Sequence, residues 1–407
     1  MTEPHNVSIH GLVVSTLLLL LAWCALAEAR AGDAPLRGKA GLYVRLDAGV
    51  KDDEKRLYLG SPLVDAVVLM VRWRSVEPKK GEFHFESLQR EVDEWGRAGK
   101  GVVLSLKPYG QTFDSRHETS DGAHYVMETP PWVYQRRDIR VIEFIGGGGA
   151  RGQKIALPEV WKEGFVETQM EPVVKALAKT FDGNPHVWFM RPGLGHIGHM
   201  TAQASPGGSR AFLNAGWTPE AWARYCQRVF DVYRKHFHKT PLLLIAEKRL
   251  LANRSRLHYM PEEAAMLREF ASQGVTIVHL GLVNDLPGIR PIYSDLQGVL
   301  PSANNGTIRI GIGDDWPLWV PVSRREQKVT LMHDEGFLRQ TLRYAFGGSD
   351  DLPRIPTTIL YLQPPEMMVT NPKSTRTDEL AYNPAVYDIL KQARMQLLAN
   401  DALLFGK

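Results

Sequence analysis

Cysteine is almost absent from this chain: Cys24 and Cys226 are the only two among 407 residues. Cys24 lies inside an N-terminal apolar run, so a chain cleaved beyond that run keeps one cysteine and forms no internal disulfide. A protein of this length buries enough core without one. An excess of charge of one sign is missing too. Lys and Arg number 49 against 45 Asp and Glu, a net +4 spread along the chain. That balance excludes an electrostatic nucleic-acid surface, and Arg136-Arg137 and Arg324-Arg325 read as solvated loops. No internal repeat, heptad or low-complexity tract follows residue 32. The run Gly146-Gly147-Gly148-Gly149 lacks a following Lys-Ser/Thr and opens no helix, which argues against a phosphate cradle and for a hairpin tip. No cofactor is expected.

What is present begins with an apolar stretch from Ile9 to Leu26, followed by the small-x-small sites Ala27-Glu28-Ala29 and Ala29-Arg30-Ala31. It reads as a secretory signal peptide over residues 1–31, for a secreted or periplasmic protein. The preceding residues carry no Lys or Arg, which leaves an uncleaved N-terminal anchor as the alternative; no other membrane contact is expected. Residues 32–407 remain, a length that suits one (β/α)8 barrel with long loops.

Apolar runs alternate with helical patterns throughout that remainder, the order of an α/β protein with a parallel sheet. The predicted strands are Gly41–Leu46, Val64–Val71, Val102–Leu106, Val187–Met190, Leu242–Ile245, Thr276–Leu280, Ile308–Ile312 and Thr358–Leu362. Eight is the barrel number, so the expected fold is a single (β/α)8 TIM barrel with a long insertion, Tyr109 to Glu159, after strand three. Helices are predicted over Leu88–Ala98, Trp161–Phe181, Pro219–His236, Pro261–Gln273, Glu335–Phe346 and Pro384–Asn400. Thr218-Pro219 and Asn383-Pro384 each set a capping residue before a first-turn proline.

The loop after the second run is the most specific segment: Arg72-Trp73-Arg74-Ser75-Val76-Glu77-Pro78-Lys79-Lys80-Gly81-Glu82-Phe83-His84-Phe85. It resembles the Trp-x-x-(Ile/Val)-Glu-Pro-x-x-Gly-x-(Phe/Tyr)-x-Phe segment of clan A glycoside hydrolases, such as family 42 β-galactosidases and family 10 xylanases. Pro130-Pro131-Trp132-Val133 is similar to a Pro-x-Trp segment of the same superfamily, and Leu157 to Val187 to the stretch before its fourth strand. The likeness spans about Gly41 to Met200. It implies a barrel that acts on an oligo- or polysaccharide. Read on its residues alone, the Glu77-Pro78 loop packs against the next helix.

Glycoside hydrolysis needs two carboxyl groups, about 5–5.5 Å apart for retention or about 6.5–9.5 Å for inversion. The resemblance implies glutamates at the ends of strands four and seven. Strand four runs on as Arg191-Pro192-Gly193-Leu194-Gly195-His196-Ile197-Gly198-His199, which puts His199 where relatives carry the acid/base glutamate. Histidine does acid/base work near neutral pH, so His199, or Glu247 after strand five in its place, is the expected proton donor. Strand seven ends in Gly313-Asp314-Asp315-Trp316, making Asp315 or Asp314 the second carboxyl. Asp47 and Asp285 also follow predicted strands. Expected substrate contacts are Arg72, Trp73, Tyr109, Trp132, Trp316 and Glu366, since sugar C–H faces stack on aromatic rings. Two alternatives stay open. The barrel binds a glycan without cutting it, or His196 and His199 hold a metal, though no third ligand is evident in the sequence and no metal site is expected.

Overall fold

A computed structural model describes residues 38–46, 52–109, 116–118, 124–126, 128–146, 152, 154–196, 198–203, 205–247, 261–282, 286–313, 335–347, 352–377 and 380–406. The N-terminal apolar run lies outside them. Among the described residues, no helix is long and apolar enough to cross a membrane.

Eight strands form one parallel sheet: β1 (Gly41–Leu46), β2 (Ala66–Arg72), β3 (Gly101–Lys107), β4 (Val187–Arg191), β5 (Leu243–Ala246), β6 (Thr276–Leu280), β7 (Ile310–Gly313) and β8 (Thr357–Leu362). From β1 to β4 and from β5 to β8 each pairs with its sequence neighbour, and β8 pairs with β1. The ring closes between β4 and β5 through a single bridge, Met190 with Leu242, whose amide Met190 N donates to Pro241 O at 2.9 Å. A main helix follows each strand: α1 (Asp52–Gly60), α2 (Glu86–Arg97), α3 (Glu171–Phe181), α4 (Pro219–His236), α5 (Pro261–Ser272), α6 (Leu286–Gln297), α7 (Glu335–Phe346) and α8 (Pro384–Phe405). This is a (β/α)8 barrel, as the strand count predicts.

The strands are near-continuous apolar runs because both faces are buried, one by helices and one by the barrel interior. The inward parity forms its own cluster, with Tyr43, Val68, Val103, Phe189, Ile245, Val278, Ile359 and Tyr361 packed about the axis. Each such aliphatic side chain contributes about 1.5–3 kcal/mol on burial. Phe189 closes the N-terminal end so tightly that a Cβ on Gly38 would sit 1.9 Å from its Cζ. Thr218 and Asn383 cap α4 and α8 as predicted, each side chain accepting from first-turn amides.

The insertion after β3 is not a plain loop. It carries two antiparallel hairpins, Arg116–Glu118 with His124–Val126 and Val141–Ile145 with Lys154–Pro158. Gly146 opens the connection of the second hairpin, accepting from Gly152 N at 3.2 Å. Before α3 the chain passes through one π turn, Val166–Met170, where a continuous helix from Trp161 is predicted.

Candidate active site

Inward parity continues past the apolar column at the C-terminal ends of the strands, and there the residue type changes. It brings Arg45 on β1, Arg72 on β2, Ser105 and Lys107 on β3, Arg191 on β4 and Glu247 just past β5 to the mouth. The loop after β4 then folds across this ring. Gly195 N donates to His199 O at 2.7 Å, His196 N to Thr201 O at 2.8 Å and Met200 N to Ile245 O at 3.0 Å. Three glycines allow that path. A Cβ on Gly193 would lie 2.0 Å from Leu106 O, and one on Gly195 would lie 2.0 Å from Thr201 O. Gly198 holds φ +81°, with Ser105 and Arg191 against it. The Gly-x-Gly-x-x-Gly string therefore presses the loop onto β3 and aims His199 at β5.

His199 and Glu247, named separately from the sequence, touch. His199 Nδ1 lies against Glu247 Oε1, and Thr201 Oγ1 donates to Glu247 Oε2. The carboxylate accepts from both, which assigns the proton to Nδ1. His199 has no exposed surface, whereas the Glu247 side chain is 14% exposed. His199 Nε2 is buried without a hydrogen-bond partner. Burial above all, then the charges of Arg191, Arg45, His196 and Lys107, push the His199 pKa well below that of a free histidine. One hydrogen bond to Glu247 pulls the other way. In a ring sealed from water with three cations about it the burial wins, and the imidazole is neutral. His196 is held down to about 4, by burial first and then by Lys107 and Arg45.

The remaining expected contacts fall into two groups. Trp73, Tyr109 and Glu366, expected to contact sugar, are buried with polar atoms engaged inside the fold. Trp73 Nε1 donates to Glu77 Oε2 at 2.7 Å, while Glu77 Oε1 accepts from Gly81 N at 2.9 Å. Tyr109 donates its hydroxyl to Ala202 O at 2.6 Å inside the core. Glu366 is buried and accepts from Gln363 N at 3.0 Å, closing the end of β8. Arg72 and Trp132 are only partly covered. Arg72 Nε lies 3.5 Å from Glu128 Oε2, and Lys107 Nζ lies 3.3 Å from Glu128 Oε1. Trp132 stands edge-on to Trp73 at 5.8 Å and donates to Glu77 O at 3.2 Å. Asp314, Asp315, Trp316, Asp47 and Asp285 lie outside the described residues; β7 is described to Gly313.

The His196–His199 segment is a folded turn and not a helix, so the two rings do not share a helical face. Among the described residues no group of three His, Cys, Asp or Glu side chains is placed to hold a metal ion. Sequence reasoning passed over Arg45, Lys107, Arg191, Thr201 and Glu128. The signal for the first three was available: a charged residue at inward parity on the last rung of an apolar strand.

Neither a protein-family model nor a curated protein matches the sequence. Solved structures do match in fold. Xylanase 10B from Thermotoga maritima aligns over 89% of this chain and 96% of its own, at 10% identity and a TM-score of 0.52. A β-galactosidase from the psychrophilic Marinomonas ef1 aligns over 89% of this chain and 60% of its own, at 10% identity and a TM-score of 0.51. At this identity the likeness is one of fold alone, that of a (β/α)8 barrel.

Proposed function

We propose that the protein is a glycoside hydrolase acting on an oligo- or polysaccharide, with Glu247 as one of its two working carboxyl groups. The observation that carries this reading is the placement of Glu247. It stands at the mouth, partly open to solvent, with both oxygens engaged by donors from the loop after β4. Two donated hydrogen bonds favour the ionised carboxylate, which suits a nucleophile or base more than a proton donor. His199 is then a positioning residue that fixes the carboxylate, and its neutral, sealed ring does not deliver the proton to the leaving group.

The second carboxyl is assigned to Asp315 or Asp314, which follow β7 in sequence. The ends of β5 and β7 are separated by β6 alone, about 10 Å of sheet. Carboxyls leaning inward from those two strands would bracket a glycosidic bond. One would accept or attack while the other protonates the leaving oxygen.

A panel of aryl glycosides with activated leaving groups tests the roles. Glu247→Ala is expected to remove turnover, and azide is expected to restore part of it if Glu247 is the nucleophile. Asp315→Ala or Asp314→Ala is expected to spare activated substrates more than oligosaccharides. A second reading follows if His199 stands where the resemblance implies a glutamate: a barrel that binds glycan without cutting it. Binding unchanged in Glu247→Ala, with no turnover in the unaltered protein, would select it.

A further inference from the structure

A second buried polar cluster lies in the outer layer of the barrel, away from the axis. His279 on β6 has the parity opposite to Val278 and Leu280, so its ring enters the layer between the sheet and helices α5 and α6. Its Nε2 lies 2.9 Å from Asp295 Oδ2 on α6, and its Nδ1 lies 2.6 Å from Leu280 O. Glu263 on α5 is close enough for the Asp295 charge to act on it. None of the three side chains is more than 2% exposed. Among the described residues, three of their oxygens have no hydrogen-bond partner: both of Glu263 and Oδ1 of Asp295.

Counting hydrogens narrows the protonation state. A carbonyl only accepts, so His279 Nδ1 carries a hydrogen and donates it to Leu280 O. The contact between Nε2 and Asp295 Oδ2 needs one more proton, on either atom. The His279–Asp295 pair is then neutral as a unit, and Glu263 is either a neutral acid or a lone buried anion. The surroundings favour the acid. From the flanking strands, β5 brings Leu244 and Ala246 to this layer and β7 brings Ile310 and Ile312. On α5, Glu262 is half-buried while Arg268 and Glu269 are exposed, and on α6 Arg290 is exposed. The α6 residue Tyr293 donates its hydroxyl to Tyr344 O on α7, where Arg339 and Arg343 are exposed. Helix α4, which meets α5 at Phe230 and Phe270, keeps Arg228 and Arg234 in surface pairs with Glu167 and Asp231. No cation among the described residues offsets an ionised Glu263. Burial first, then the Asp295 charge, push its pKa well above that of a free glutamate.

We propose that Glu263 is a neutral acid in the native protein at neutral pH and donates its proton to Asp295 Oδ1. Helices α5 and α6 and strand β6 then share an uncharged clasp, Glu263–Asp295–His279, that gives up one proton when the chain unfolds. The clasp backs the mouth end of β6, where Gly281 N and Leu282 N donate to Gly313 O at 3.0 and 2.9 Å. Its effect on stability has a definite sign. The unfolded chain ionises this glutamate above about pH 4.5, its ordinary value, whereas the native state keeps the proton. Its contribution is therefore fully present below that pH and is lost as pH rises toward the folded value. This is opposite to the buried histidines of the mouth, and it does not depend on the glycosidase reading.

Denaturant unfolding of the full-length protein and of Glu263→Gln, from about pH 5 to about pH 8, tests the proposal. The amide keeps the shape and a donor but has no proton to lose. The ratio of the two folding equilibrium constants is expected to shift toward Glu263→Gln as pH rises, by up to about tenfold per pH unit and by at least about threefold over the range. Infrared spectra of the unaltered protein at neutral pH should also show the carbonyl band of a protonated carboxylic acid, absent from the variant. If Glu263→Gln does not fold, Glu263→Met supplies the neutral comparison. A ratio that stays flat or moves toward the unaltered protein means an ionised Glu263 and overturns the proposal, as does a missing acid band. Failure of both variants to fold overturns it as well, because a neutral acid tolerates a neutral replacement.

Discussion

Two loops carry the sequence's strongest patterns, and they use their polar groups in opposite ways. The loop after β2 turns inward on itself. Glu77 accepts from Trp73 Nε1 and Gly81 N, its carbonyl accepts from Trp132, and Phe83 stacks on Phe85 at 6.1 Å. Burial raises the Glu77 pKa, an effect that the Gly81 and Trp73 donors and the Lys80 charge oppose. The loop after β4 satisfies its backbone within a tight glycine turn and directs Thr201 and His199 outward to a carboxylate on the neighbouring strand. The more recognisable loop closes on itself, and in the proposed reading the loop after β4 builds the site. A motif whose donors and acceptors match one another marks architecture; chemistry belongs where the matching crosses between elements.

Substitutions separate the two loops. Trp73→Ala empties a fully buried site and removes a donor from Glu77, so denaturant unfolding should show a loss of about 3–5 kcal/mol. The folded fraction should keep its turnover within a few-fold of the unaltered protein. His199→Gln should do the opposite, lowering kcat by about 10–100-fold, or about 1.4–2.7 kcal/mol of barrel-mouth positioning, at modest cost to stability. A profile in which Trp73→Ala loses activity more than stability would break the contrast.

Acid should weaken the second loop. His196 and His199 have folded-state pKa values below the ordinary histidine value, so the unfolded chain takes up protons that the native state refuses. Their contribution is fully present above about pH 6.5 and is lost as pH falls from there toward about 4, the value to which His196 is held. Each proton steepens the slope by up to about 1.4 kcal/mol per pH unit. Unfolding measured across that window should flatten in a His196→Gln, His199→Gln double variant, and an unchanged slope would count against the buried, neutral assignment. Smallest of all, Gly198→Ala places a Cβ at φ +81°, 3.2–3.3 Å from Leu106 O, Arg191 and Ser105. It should cost about 1–2 kcal/mol and lower turnover by displacing His199.

All eight strands were legible because strands buried on both faces are uninterrupted apolar runs, and their ends moved by only one or two residues. Helix α1 escaped notice because Asp52-Asp53-Glu54-Lys55-Arg56 hides a short helix behind charge. Helix α6 escaped because Pro287 and Pro291 read as turn residues although it accommodates both. At the site, His199 and Glu247 could each be named, yet their contact could not, since it depends on a glycine turn carrying the loop after β4 across to β5. The burial of Trp73, Tyr109 and Glu366 was hidden for a related reason. Their polar atoms look available in a sequence, and only the fold shows Glu77, Ala202 and Gln363 engaging them.

The central claim is that the working surface lies between the β4 loop and β5 and not in the loop after β2. A crystal structure of Glu247→Gln with a bound oligosaccharide tests it most directly. The account predicts a sugar within hydrogen-bond reach of residue 247, about 2.6–3.2 Å, with His199 behind the side chain and out of contact, and with Trp73 and Tyr109 still sealed. A sugar seated on an opened Trp73, with residue 247 turned away from it, would contradict the account.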